Sequence, residues 1–190
     1  MKISKLFVVI VLLSPVLRAQ ETTSINPIRR NTIYGEVFGQ GFFGSLNYDR
    51  LFNVDKHVMN SFSAGFIFAP KSAGFGDGMY LGVPVSYNWL FGKSSHHLEL
   101  GLGFTFMATQ GFASNRFENF YTYLTPKVGY RYQRPGGGFF FKAAFTPMIG
   151  LMNVDTNGPG VPGTVTLFKN AAGVGNGVFP WLGLSIGYSF

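Results

Sequence analysis

The stretch from Leu182 to Phe190, LGLSIGYSF, admits few folds. In an extended chain, successive side chains point to opposite sides. Leu182, Leu184, Ile186, Tyr188 and Phe190 therefore share one face, and Gly183, Ser185, Gly187 and Ser189 share the other. A strand half-buried in a soluble protein pairs its apolar face with a polar, solvated one. Here the second face is too small and glycine-rich for that role. The pattern recurs along the chain, and it predicts strands with lipid outside and a tight lumen inside.

The same picture follows from what is missing. Lys2 and Lys5 precede an apolar run of about 12 residues that ends near Leu17-Arg18-Ala19. That run is short of the ~20 residues a spanning helix needs, so 1–19 reads as a secretory signal, with cleavage between Ala19 and Gln20. No later stretch is long and apolar enough for a transmembrane helix. Yet 17% of residues are aromatic and only 12% charged, about half the charge of an ordinary soluble domain. A barrel reconciles the two, because its lipid-facing residues occupy only alternate positions. There are no cysteines, which excludes a lipid-anchored lipoprotein, a disulfide scaffold and thiolate metal sites. The formal charge of +7 falls to +4 without Lys2, Lys5 and Arg18. The remaining basic residues are scattered, Arg29-Arg30 being the only adjacent pair, so no nucleic-acid stripe forms.

After a polar lead-in at 20–31, the chain 32–190 divides into eight strand-like segments. They are predicted at 32–40, 43–52, 61–70, 79–90, 97–107, 120–132, 139–150 and 179–190. Most have the 9–12 residues that cross a bilayer at a tilt. Segments four to eight keep an apolar face free of charge. In the second, Arg50 stands at an outward position, which predicts the membrane interface or a bulge. Connections on the side of the termini should be short, and they are: 53–60, 91–96 and 133–138. Those on the far side are 71–78, 108–119 and 151–178, after a first tight turn near 41–42 that breaks the rule. Tyr87, Trp89, Tyr130, Tyr132, Phe139, Phe141, Tyr188 and Phe190 collect at one rim as an interfacial girdle.

With its signal segment, eight alternating segments and closing GYSF, the chain over 32–190 resembles small eight-stranded outer-membrane barrels. These are the OmpA-like and OmpX-like families, especially those of Bacteroidota. EVFGQGFFGSLNYDRLF and HLELGLG carry the Bacteroidota likeness. The resemblance implies an all-β, antiparallel, up-and-down transmembrane barrel in the outer membrane of a Gram-negative bacterium. It also implies that Tyr188 and Phe190 form the terminal signal read by the barrel-assembly machinery. It leaves the role of the barrel open.

Enzymatic small barrels of the lipid A-modifying kind use a serine and a histidine near the outer leaflet. His57, His96 and His97 map instead to turns on the periplasmic side. The one Gly-x-Ser-x-Gly spacing, Gly183 to Gly187, falls inside the last predicted strand and not at a strand-to-helix elbow, and no His-Glu-x-x-His helix is present. His96-His97 has no further ligand nearby in sequence, so no metal or cofactor is expected. The Gly-, Pro- and Asn-rich segment 151–178 reads equally as a partner loop or as an unliganded surface loop. The inward positions carry Glu36, Asp49, Glu99, Lys127, Arg131 and Lys142, three acids against three bases. A balanced set of buried charges predicts a paired network that plugs the lumen, since unpaired ones carry a desolvation penalty of several kcal/mol each. The functional expectation is a non-enzymatic, plugged barrel serving envelope structure, adhesion or surface interaction. A narrow channel or porin-like transporter, a component of a secretion apparatus and a lipid-modifying enzyme stand as alternatives.

Overall fold

The structure, a computed structural model, describes residues 28–71, 78–111, 117–155, 164–167 and 178–190. The expected signal segment 1–19, most of the expected lead-in 20–31 and much of 151–178 lie outside the described residues. The strands are β1 (Asn31–Phe38), β2 (Ser45–Phe52), β3 (Val58–Lys71), β4 (Gly78–Lys93), β5 (His96–Gly111), β6 (Phe117–Gln133), β7 (Gly138–Phe145), β8 (Met148–Asp155), β9 (Thr164–Leu167), β10 (Val178–Phe179) and β11 (Leu182–Ser189). Each of β1 to β6 pairs antiparallel with the next, β7 pairs with β11, and β11 closes on β1. Eight staves thus form one closed antiparallel barrel. Closure leaves no edge in the wall, which removes the unpaired backbone groups that an open sheet exposes.

Two predicted staves are broken rather than continuous. The seventh is split into β7 and β8 around Thr146-Pro147, and the eighth into β10 and β11 around Pro180-Trp181. Proline has no N–H to give a ladder, so both breaks fall where the pairing would need one. The Thr146 N–H instead donates to the Trp181 carbonyl at 2.7 Å and stitches the two breaks together. Beyond them β8 continues along β6 and also pairs with β9 and β10, which extends the wall at the far end.

A tight turn at 41–42 was expected to join strands reaching 40 and starting at 43. Instead β1 stops at Phe38, and Gly39–Gly41 form a turn of 3-10 helix that is buried. Phe38, Gly39 and Phe42 all have φ near +60°. For the two phenylalanines this is strained backbone, worth about 1–3 kcal/mol each. The strain bends the chain off the wall and into the lumen. Gly183 of β11 makes room, since a Cβ there would run into the Cα of Gly39. The connection is short because it is a plug and not a surface loop.

The terminal-side turns are short as expected, at 53–57, 94–95 and 134–137. Arg50 lies on the outer face of a β2 with regular register on both sides, so no bulge accompanies it.

Candidate functional site: the filled lumen

Alternation places polar residues inside almost every stave. Of the described residues, 22 buried ones are polar or charged and 11 are hydrophobic, while 32 large hydrophobics are exposed, most of them at outward positions of the staves. Water-soluble folds do the reverse. All six sequence-predicted charges face inward and are buried.

Arg131 of β6 is the hub. Its Nη2 donates to Asp49 Oδ1 of β2 at 2.6 Å, straight across the barrel, and its Nη1 donates to Glu99 Oε2 of β5 at 3.3 Å. Gln133 Oε1 accepts from its Nε at 2.9 Å, Ser61 Oγ accepts from Nη1 at 3.2 Å, and the Phe140 ring lies under the guanidinium at 5.0 Å. The planar fork suits this arrangement, because five donors can each find an acceptor in one plane.

Lys142 of β7 meets Glu36 Oε2 at 3.4 Å and the Tyr34 hydroxyl at 3.3 Å, above the Tyr34 ring. Glu36 in turn accepts from Ser185 Oγ at 3.1 Å and from the Gly41 N–H at 3.1 Å. Glu99 is wholly buried and completes the set. Its Oε1 has no hydrogen bond but lies 3.9 Å from both Lys127 and Lys142. Every acid therefore touches a base, as the balance of three against three implied.

Lys127 connects this layer to the plug. Its Nζ donates to Ser86 Oγ at 3.0 Å and to Gln40 Oε1 at 3.2 Å. Gln40, at the tip of the in-turned connection, donates to the carbonyls of Val85 at 2.7 Å and Phe104 at 3.3 Å, and its own carbonyl accepts from Thr105 Oγ1 at 3.0 Å. It thus ties β1 to β4, β5 and β6 on the opposite wall. Gly103 admits it, since a Cβ there would occupy the place of the Gln40 amide. Ser86 also bonds Ser63 Oγ at 2.6 Å. Serine, serine and lysine in this order are the groups of a lysine-activated nucleophile. All three are buried, with the Gln40 amide laid on Lys127, so in this state the chain of contacts satisfies hydrogen bonds and leaves no approach for a substrate.

Above the plug the lumen turns apolar. Ala69, Tyr80, Met107, Tyr123 and Met148 form a buried cluster, with Phe42, Phe179 and Trp181 packed on it. Trp181 stacks on Phe42 at 5.6 Å. At the terminal end a cavity of about 30 Å³ borders Leu51, Leu90, His97 and Gln133, the size of one or two water molecules.

The sequence reading placed the charges and missed their polar partners. Gln40, Tyr34, Ser61, Ser86 and Gln133 all complete the network. Tyr34 shares the inward parity of Glu36, and Gln133 that of Arg131, so a signal existed for both. For Gln40 none did, because it lies off the wall. His96 and His97, expected in a turn, both lie on β5. His96 faces outward, its Nδ1 sharing a hydrogen with the Tyr130 hydroxyl at 2.6 Å, whereas His97 is buried in the lumen with neither ring nitrogen partnered. Among the described residues no three His, Cys, Asp or Glu side chains gather as metal ligands.

Compared with known protein families, with curated proteins and with solved structures, the chain matches none of them.

Proposed function

We propose that this chain is an integral outer-membrane barrel of the small eight-stranded kind, non-enzymatic, with a permanently filled lumen, acting in envelope structure or surface interaction. The observation that carries the reading is the inversion of burial, with polar groups inside and most of the 32 exposed large hydrophobics forming a belt outside. At roughly 1 kcal/mol for each half-exposed apolar side chain, transferring that belt from water to hydrocarbon is worth on the order of 30 kcal/mol. No soluble domain of marginal stability could leave such a gain unused without aggregating. Outward aromatics at the terminal end, including Trp89, Tyr130, Phe139 and Tyr188, are exposed and supply the interfacial girdle. Tyr188 and Phe190 project outward from the strand that closes the barrel, where the barrel-assembly machinery can read them.

The filling argues against the channel reading. Eight staves enclose just enough space for side chains, and here the plug, the Arg131 layer and the aromatic cluster occupy successive levels of it. Two experiments test the proposal. Cell fractionation should place the protein in the outer membrane, and planar bilayers should show negligible steady conductance. Recovery from the soluble periplasm would refute the membrane reading, and large stable channels would refute the filled lumen.

A further inference from the structure

The charges outside the lumen are not evenly spread. At the end where β1 begins and β11 ends, Arg29, Arg30, Arg50, Lys56, Lys93 and Arg134 are all exposed. Asp55 is the one exposed acidic residue among the described residues there. Counting side chains, six bases against one acid leave a surplus of five positive charges on one rim, four once the carboxylate of Phe190 beside Asn31 is included. The lumen contributes nothing to it, because its three acids and three bases cancel. None of the six bases makes an ion pair with a described residue.

Backbone hydrogen bonds hold part of this rim together. The Arg29 N–H donates to the Pro135 carbonyl at 2.7 Å, and the Gln133 N–H donates to the Ser95 carbonyl at 2.9 Å. Arg29 is thereby fastened beside the turn that carries Arg134, and that turn beside the hairpin that carries Lys93. Directly on the outer wall of the same strands lie Tyr130, Tyr132 and His96, the last 5.3 Å from the Tyr132 ring. Cations and amphipathic aromatic rings at one level are the groups that sit among lipid headgroups. A soluble acidic partner would account for the cations but not for the aromatic wall beneath them.

We infer that this rim is a binding surface for anionic phospholipid, with Arg29, Lys93 and Arg134 engaging headgroup phosphates while the Tyr130–Tyr132 wall holds the acyl chains. The inference rests on the membrane reading above. In an outer membrane it assigns the rim to the inner leaflet, the one built of phospholipid, and so also orients the barrel.

The test uses the chain refolded into vesicles of phosphatidylcholine alone and of an equimolar mixture with phosphatidylglycerol. Protease protection reports insertion. Extraction in mild detergent and native mass spectrometry then count the lipids that stay bound. Wild type should insert into both and retain phosphatidylglycerol in several-fold excess over phosphatidylcholine. Each of R29Q, K93Q and R134Q should lower that excess by up to about fivefold, the weight of one charge near an anionic surface. Lys71→Gln, at the far end of β3, should leave it unchanged. Insertion with equal retention of both lipids, or an excess that survives the triple variant, would overturn the inference while the membrane reading stands. Failure to insert into either vesicle would overturn both. Displacement of the retained phosphatidylglycerol by a water-soluble polyglutamate peptide at low concentration would assign the rim to an acidic protein instead.

Discussion

Replacing Glu99 with alanine is the perturbation whose size the structure sets most closely. Its carboxylate is wholly buried and faces three cations, Arg131 at 3.3 Å and Lys127 and Lys142 at 3.9 Å. Its loss leaves three bases with two acids. Arg131 keeps Asp49 and Lys142 keeps Glu36. Lys127 keeps only the neutral Gln40 and Ser86, so the orphaned charge is Lys127. Breaking a buried pair on one side costs about 3–5 kcal/mol. With no solvent in reach of any partner, screening does little to soften it. At the usual 1–3 kcal/mol per molar urea, the unfolding midpoint in lipid vesicles should fall by roughly 1–5 M. Adding Lys127→Met removes the orphan and restores two acids to two bases, so the double variant should regain most of the loss. Tryptophan fluorescence during urea titration measures both proteins. A Glu99→Ala protein within about 1 kcal/mol of wild type would refute the claim of a sealed, paired network. So would a double variant no more stable than the single one.

Three further outcomes follow from the same geometry. Leu102→Arg, on the outer face of β5, should cost about 2–4 kcal/mol in vesicles, because the guanidinium would enter hydrocarbon; an undisturbed urea midpoint would mean that this face does not meet lipid. Gln40→Ala removes three side-chain hydrogen bonds from the plug, and at about 1 kcal/mol each its midpoint should shift by an amount that Glu36→Gln, in contact with the same turn, does not add to independently. Gly183→Val, whose side chain would collide with Gly39, should expel the turn from the lumen, which hydrogen exchange at Gly39 to Phe42 would register as lost protection.

Much of this architecture was legible because a barrel wall obeys a period of two. Parity alone put Glu99, Arg131 and Lys142 inside and Leu102, Val128 and Tyr188 outside, and the structure agrees at each. Charge balance foretold that the inward set would pair. What parity could not reveal is anything that leaves the wall. The turn through Gln40 is strained at Phe38 and Phe42, and its place depends on glycines more than sixty and a hundred and forty residues away, at 103 and 183. No local pattern encodes that contact. The breaks at Pro147 and Pro180 had a visible cause in the prolines, but their joint closure by Thr146 and Trp181 depended on which staves became neighbours. His97, grouped with His96 as a turn pair, already had the inward parity of Glu99 in the predicted strand 97–107; with the strand beginning at His96, one ring points out and the other in.

The claim that the outer belt meets lipid can be measured directly with the two tryptophans the chain contains. Trp89 stands on the outer wall with 39% of its surface exposed, while Trp181 packs against Phe42 and Phe179 in the apolar cluster of the lumen, its Nε1 buried. Single-tryptophan proteins, W181F and W89F, would be refolded into vesicles whose acyl chains carry bromine. The account predicts strong quenching of Trp89 by the brominated chains and little by aqueous iodide, with weak quenching of Trp181 by the lipid. Trp89 open to iodide and untouched by bromine would contradict it.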